Sequence, residues 1–137
     1  MASYRHLART CIMQTLFAVE FNKNNDPKIT LEEILDEFAP KLSETDFAYE
    51  TLEGVLKHRK DILEMIANYA PEWPVDKIAR VDRVILEIGI YEIMYSDDVP
   101  PVVAINEAVE IAKHYGDKNS PKFINGVLSS VMNKIKN

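Results

Sequence analysis

The sequence predicts an all-α protein. Apolar residues recur at i, i+3, i+4 and i+7 in every long segment, and no segment alternates apolar and polar residues with the two-residue period of a strand. The prolines fall between the periodic segments. At 137 residues and 47% hydrophobic content, the chain has the size of one domain, with enough apolar surface for one core or two small adjoining ones.

The first helix is read from Tyr4, Leu7, Ala8, Cys11, Thr15, Leu16 and Val19, with Ser3 as N-cap. Ile12, Phe17 and Phe21 widen the stripe and leave a narrow polar strip with Arg5, Arg9 and Glu20, so neighbours should cover most sides of this helix. The second helix is expected to start at a capping box, Thr30 with Glu33, with Ile29 and Ile34 as hydrophobic staple, and to stop at Pro40. A third starts at Ser43 and Asp46 with Leu42 and Phe47 at the staple positions. It runs unbroken through Val55, Ile62 and Tyr69 to Pro71, with Gly54 inside it marking close packing.

A Pro71-Glu72-Trp73-Pro74 corner divides the chain into halves of similar size, followed by a short turn at 75–78. The densely apolar stretch from Val81 to Tyr95 is the next helix. Pro100-Pro101 opens another that Gly116 closes at C′, and Ser120-Pro121, read as N-cap and N1, opens the last. Short connections favour antiparallel neighbours, as in helical bundles.

The net charge of −6 is unevenly spread. Residues 1–23 carry three cations against one anion, and residues 113–137 carry five against one. The segment between them holds eight against twenty. Two basic ends on an acidic protein point to a local anion-binding patch, with simple solubilisation as the alternative. No apolar run approaches the roughly 20 residues of a membrane span, and no cleavage site follows an apolar N-terminal stretch, so membrane insertion and export are not expected. A single cysteine, Cys11, fits a reducing cytoplasm.

Few residues suggest catalysis. His6, His58 and His114 are scattered without metal-ligand spacing, Cys11 reads as a core residue, and the four glycines form no phosphate loop. No metal or cofactor is expected. Three features exceed what a plain bundle needs. Arg5 and Arg9 at i, i+4 are placed to grip consecutive phosphates, or to form a solvated face. Lys118 and Lys122 flank the start of the last helix, whose free N–H groups attract anions, and Phe123 offers a ring for an unstacked base or for core packing. Asn106 beside an apolar stripe suggests a buried amide fastening its helix to a loop.

The sequence resembles the NusB family over nearly its whole length. Arg5-x-x-x-Arg9-x-x-x-x-Gln14-x-Leu16-Phe17 is similar to the family's opening helix, and Val81-Asp82-Arg83-x-Ile85-Leu86 with Tyr91-Glu92 to its central one. Most specific is Pro101-x-x-x-Ile105-Asn106-Glu107-Ala108-Val109-Glu110-x-Ala112-Lys113. It is followed by Gly116 and then by Ser120-x-Lys122-Phe123-x-Asn125-Gly126-Val127-Leu128.

The resemblance implies one RNA-binding domain over 1–137, built as two packed three-helix subdomains of about 1–70 and 74–137, with about seven helices in all. It implies a non-catalytic antitermination factor that binds boxA, a single-stranded RNA element. The partner is NusE, a small-subunit ribosomal protein, and the assembly joins RNA polymerase to suppress premature termination in ribosomal RNA transcription. RNA-binding residues carried over are Arg5, Arg9, Gln14, Lys118, Ser120, Lys122 and Phe123, and partner-facing ones are Phe17, Asp82, Glu87 and Tyr91. Relatives often carry a denser N-terminal arginine cluster, which implies greater dependence on the partner here. Position 119 is Asn where some relatives carry an acid. Two other classes are an isolated NusB-like module of an RNA methyltransferase and a structural helical homodimer.

Overall fold

The computed structural model describes residues 2–70 and 74–136, with side chains from 4 to 135. The Ser3 side chain and the Pro71-Glu72-Trp73 stretch lie outside the described residues. Seven α-helices and one 3-10 turn make up the described chain, with no strand among them. They are α1 (Ala2–Phe21), α2 (Pro27–Phe38), α3 (Asp46–Lys57), α4 (Arg59–Tyr69), the turn Val75–Lys77, α5 (Arg80–Tyr95), α6 (Pro101–Tyr115) and α7 (Ser120–Lys136). The all-α expectation therefore holds.

Several boundaries differ from the sequence reading. Helix α2 begins four residues before the expected capping box. Asp26 is its N-cap and accepts from the Lys28 and Ile29 amides, and Pro27 occupies the first turn. Thr30 lies inside the helix and donates its hydroxyl to the Asp26 carbonyl at 2.9 Å, while Ile29 is exposed and staples nothing. The expected third helix is two helices. His58, at φ −101° and ψ 12°, interrupts it between α3 and α4.

Gly116 does close α6, but at φ −91° and ψ −172°, so no left-handed cap forms. A Cβ there would sit 2.4 Å from Ser120 Oγ and 3.0 Å from the Ala112 carbonyl oxygen; glycine is needed for that close approach. Asn106 is exposed, which removes the expected buried amide.

The described chain forms two compact units, Met1–Gly54 and Val55–Asn137. The division falls before the proline corner because α4 packs on α5 and α7. In the first unit α1 packs on α2, and Ala8, Cys11, Ile12, Leu16, Leu31, Leu35 and Leu52 are buried. In the second, α6 packs on both α5 and α7 around Ile85, Leu86, Ile90, Ile111, Ile124 and Leu128. Gly89 lets α5 approach α7, since a Cβ there would lie 2.7 Å from Leu128 Cδ1.

Candidate nucleic-acid interface

The start of α7 is built by a reciprocal turn. Asp117 Oδ1 accepts from the Asn119 amide at 2.8 Å and the Ser120 amide at 3.1 Å, and Ser120 Oγ accepts from the Asp117 amide at 2.9 Å. The Phe123 amide donates to the Asn119 carbonyl, so Asn119, not Ser120, stands at the N-cap position. Ser120 is 2% exposed and holds the turn from inside. Lys118 and Lys122 are exposed on either side of it. Two of the expected contacts, Lys122 and Phe123, thus come to one helix start, with Lys118 on the turn leading in.

Phe123 is half-buried and lines an open cavity of about 380 Å³ together with Lys77, Ile78, Asp82, Asn119 and Ser120. Asp82, in the first turn of α5, is 8% exposed, and its Oδ1 has no hydrogen-bond partner. Burial pushes its carboxyl above the usual range. Nearby Asp117 adds to the rise, and the neighbouring Ser120 side chain opposes it.

On α1, Arg5 and Arg9 share a face, as their i, i+4 spacing requires, but the face is covered. Both guanidinium groups lie over the Phe47 ring, at 4.5 and 5.0 Å from its centroid. Arg5 remains half-buried, whereas Arg9 is 3% exposed. The phosphate-gripping pair is corrected accordingly: Arg9 is an internal residue packed on Phe47. Gln14 is half-buried, with Oε1 buried and without a hydrogen-bond partner.

Of the four partner-facing residues, the three on α5 do not form one face. Phe17 belongs to the first unit, where it packs edge-on against Phe21 at 5.1 Å. Asp82, Glu87 and Tyr91 lie on α5, and about 100° per residue puts Asp82 and Tyr91 on opposite sides of that helix. Glu87 is 1% exposed and bound to Arg83 at 2.9 Å and Arg59 at 3.4 Å, so it ties α4 to α5 and is no surface contact.

Tyr91 is half-buried beside a stack that sequence reasoning missed. The His58 and Tyr95 rings lie 3.8 Å apart at 8°, with Tyr91 6.1 Å from Tyr95. The only sequence signal was aromatic spacing at 91 and 95. The helix break that aims His58 at them carries neither glycine nor proline.

Among the described residues no group of three His, Cys, Asp or Glu side chains is arranged to hold a metal, and no helix is long and apolar enough to cross a membrane. The described elements, all helical, define an all-α protein of bundled helices. The chain belongs to the NusB family, whose model matches residues 6–133.

A transcription antitermination protein NusB of Bacillus pumilus is 42% identical over 133 residues, covering 96% of this chain and 97% of that protein. The one from Oceanobacillus iheyensis is 41% identical over 128 residues, covering 93% and 98%. The structure of T. maritima NusB superposes with a TM-score of 0.85 at 35% identity, over 95% of this chain and 91% of that one. A chain from the crystal structure of antitermination factors NusB and NusE in complex with dsRNA shares the fold, with a TM-score of 0.86 at 24% identity over 98% and 99%.

Proposed function

We propose that this protein is a non-catalytic transcription antitermination factor of the cytoplasm that binds boxA single-stranded RNA together with NusE. It then joins the RNA polymerase complex and suppresses premature termination in ribosomal RNA transcription. The observation that carries the reading is the α7 start, where exposed Lys122 stands beside the half-buried ring of Phe123, with Lys118 on the turn before it. Lysines take phosphates, and the ring takes an unstacked base. The relatives' shared name and the NusB–NusE–dsRNA complex of one fold neighbour support the same reading.

Within it, Lys118, Lys122 and Phe123 touch RNA directly, Ser120 shapes the turn, and Arg5 is the accessible cation of α1. Arg9 positions Phe47 and Arg5, and Gln14 offers an amide on the same helix. Phe17 and Tyr91 are the partner-facing residues with surface to offer NusE, while Glu87 holds Arg59 and Arg83 beneath.

The test is a fluorescence-anisotropy titration of a boxA-type RNA at several salt concentrations. Lys122→Gln should lower the slope of log affinity against log salt by about one. Phe123→Ala should weaken binding without changing that slope. Unchanged affinity in both variants would refute the placement of the RNA on α7.

A further inference from the structure

The cavity beside α7 contains a group that phosphate binding does not use. Asp82 lines it, is more than nine-tenths buried, and its Oδ1 accepts no hydrogen bond. A carboxylate oxygen buried without a donor is unfavourable, and beside an open cavity a small turn of the side chain would offer it to a donor that arrives from outside. Asp117, the other carboxylate there, has its Oδ1 engaged by the Asn119 amide, the Ser120 amide and the Ser120 hydroxyl. The buried acceptor left without a donor is Oδ1 of Asp82. Phe123 supplies a ring on one wall, and Lys77, exposed at the end of the 3-10 turn, supplies a cationic donor.

Resting on the RNA-binding reading above, we infer that this cavity is a guanine pocket in which Asp82 determines base specificity. Guanine presents an acceptor, O6, beside two donors, N1–H and the N2 amine. That order complements a lysine followed by a carboxylate. The other bases fit worse: uracil sets one N–H between two acceptors, and adenine and cytosine place a ring acceptor next to their amine, which a carboxylate repels. The cavity volume of about 380 Å³ falls among pockets that enclose small ligands, roughly 300–1,000 Å³. Phe123 would stack the base while Asp82 reads its edge, so affinity from the lysines and selectivity from Asp82 are separable.

The test uses short single-stranded RNAs of uridine carrying one central guanosine, inosine or adenosine, titrated against the full chain. Inosine keeps O6 and N1–H and lacks only the N2 amine. The wild-type protein should bind the guanosine RNA about fivefold to tenfold more tightly than the inosine RNA, and the adenosine RNA more weakly still. Asp82→Asn should abolish the guanosine–inosine difference while leaving the salt dependence unchanged, with circular dichroism confirming its helices. The base comparison on the wild-type protein stands even if that variant fails to fold. Equal wild-type affinity for the guanosine and inosine RNAs would overturn the guanine pocket and leave the RNA-binding reading standing. No binding to any of the RNAs would overturn both.

Discussion

Replacing Gly116 with alanine probes the turn on which the proposed interface depends. The backbone there, at φ −91° and ψ −172°, is open to any residue, so alanine brings no conformational strain. It would even restrict the unfolded chain, a stabilisation of about 0.4–1 kcal/mol. Against this, the new Cβ would lie 2.4 Å from Ser120 Oγ and 2.5 Å from Ser120 Cβ. Ser120 is 2% exposed and cannot swing into solvent, so the first turn of α7 has to move.

That movement sacrifices the bond from the Asp117 amide to Ser120 Oγ and those from the Asn119 and Ser120 amides to Asp117, each contributing about 1 kcal/mol. Loss of all three, less the entropic gain, leaves a net destabilisation of about 2 kcal/mol. Urea unfolding followed by circular dichroism measures it. Ser120→Gly in the Gly116→Ala background removes both clashing atoms and should recover part of the loss. A Gly116→Ala protein as stable as the parent would refute the reasoning that close approach, and not backbone conformation, requires glycine here.

Three further outcomes follow from buried groups. Glu87→Ala leaves Arg59 and Arg83 without their buried carboxylate and should destabilise by about 3 kcal/mol, with Glu87→Gln milder, as read by urea unfolding. Asp82 has a raised carboxyl pKa in the fold, so the folded state holds its proton to higher pH than the unfolded chain does. The resulting penalty is absent below the ordinary carboxyl pKa and complete above the raised one. Stability of the parent relative to Asp82→Asn should therefore fall as pH rises through that window, and thermal melts from acid to neutral pH would show parallel curves if the carboxyl were unperturbed. Cys11 is fully buried with its thiol pushed upward by that burial, so a thiol reagent should react with it only on unfolding; rapid labelling of the native protein would contradict its core position.

Much of the fold was legible because helices announce themselves locally. Period, prolines and the apolar stretch at 81–95 located the start of every helix from α5 onward to within a residue or so. The errors arose where two local signals competed or where a distant contact decided. Asp26-Pro27 and Thr30-Glu33 are both start signals. The earlier one prevailed, because Thr30, once inside the helix, can turn its hydroxyl to the carbonyl four residues back. The break at His58 accompanies stacking on Tyr95, 37 positions further along, which no window along the chain can register.

The candidate site divides in the same way. Lys118, Lys122 and Phe123 were readable from a helix start with flanking cations, and they lie there. Arg9 was misjudged because periodicity marks a polar strip but not the Phe47 ring that covers it. Glu87 was misjudged because an acid on an apolar helix can face a partner protein or two internal arginines, and only the tertiary structure distinguishes them. The cavity acceptor at Asp82 depends on α5 and α7 meeting, so it was invisible before folding.

The central claim is that this protein binds RNA as one half of a pair. The most direct measurement is the affinity of a labelled boxA-type RNA for the protein alone, for NusE alone, and for an equimolar mixture, at low and near-physiological salt. The account predicts weak, salt-sensitive binding by the protein alone and markedly tighter binding by the mixture, lost again in Lys122→Gln. A mixture that binds no better than the stronger single component would contradict it.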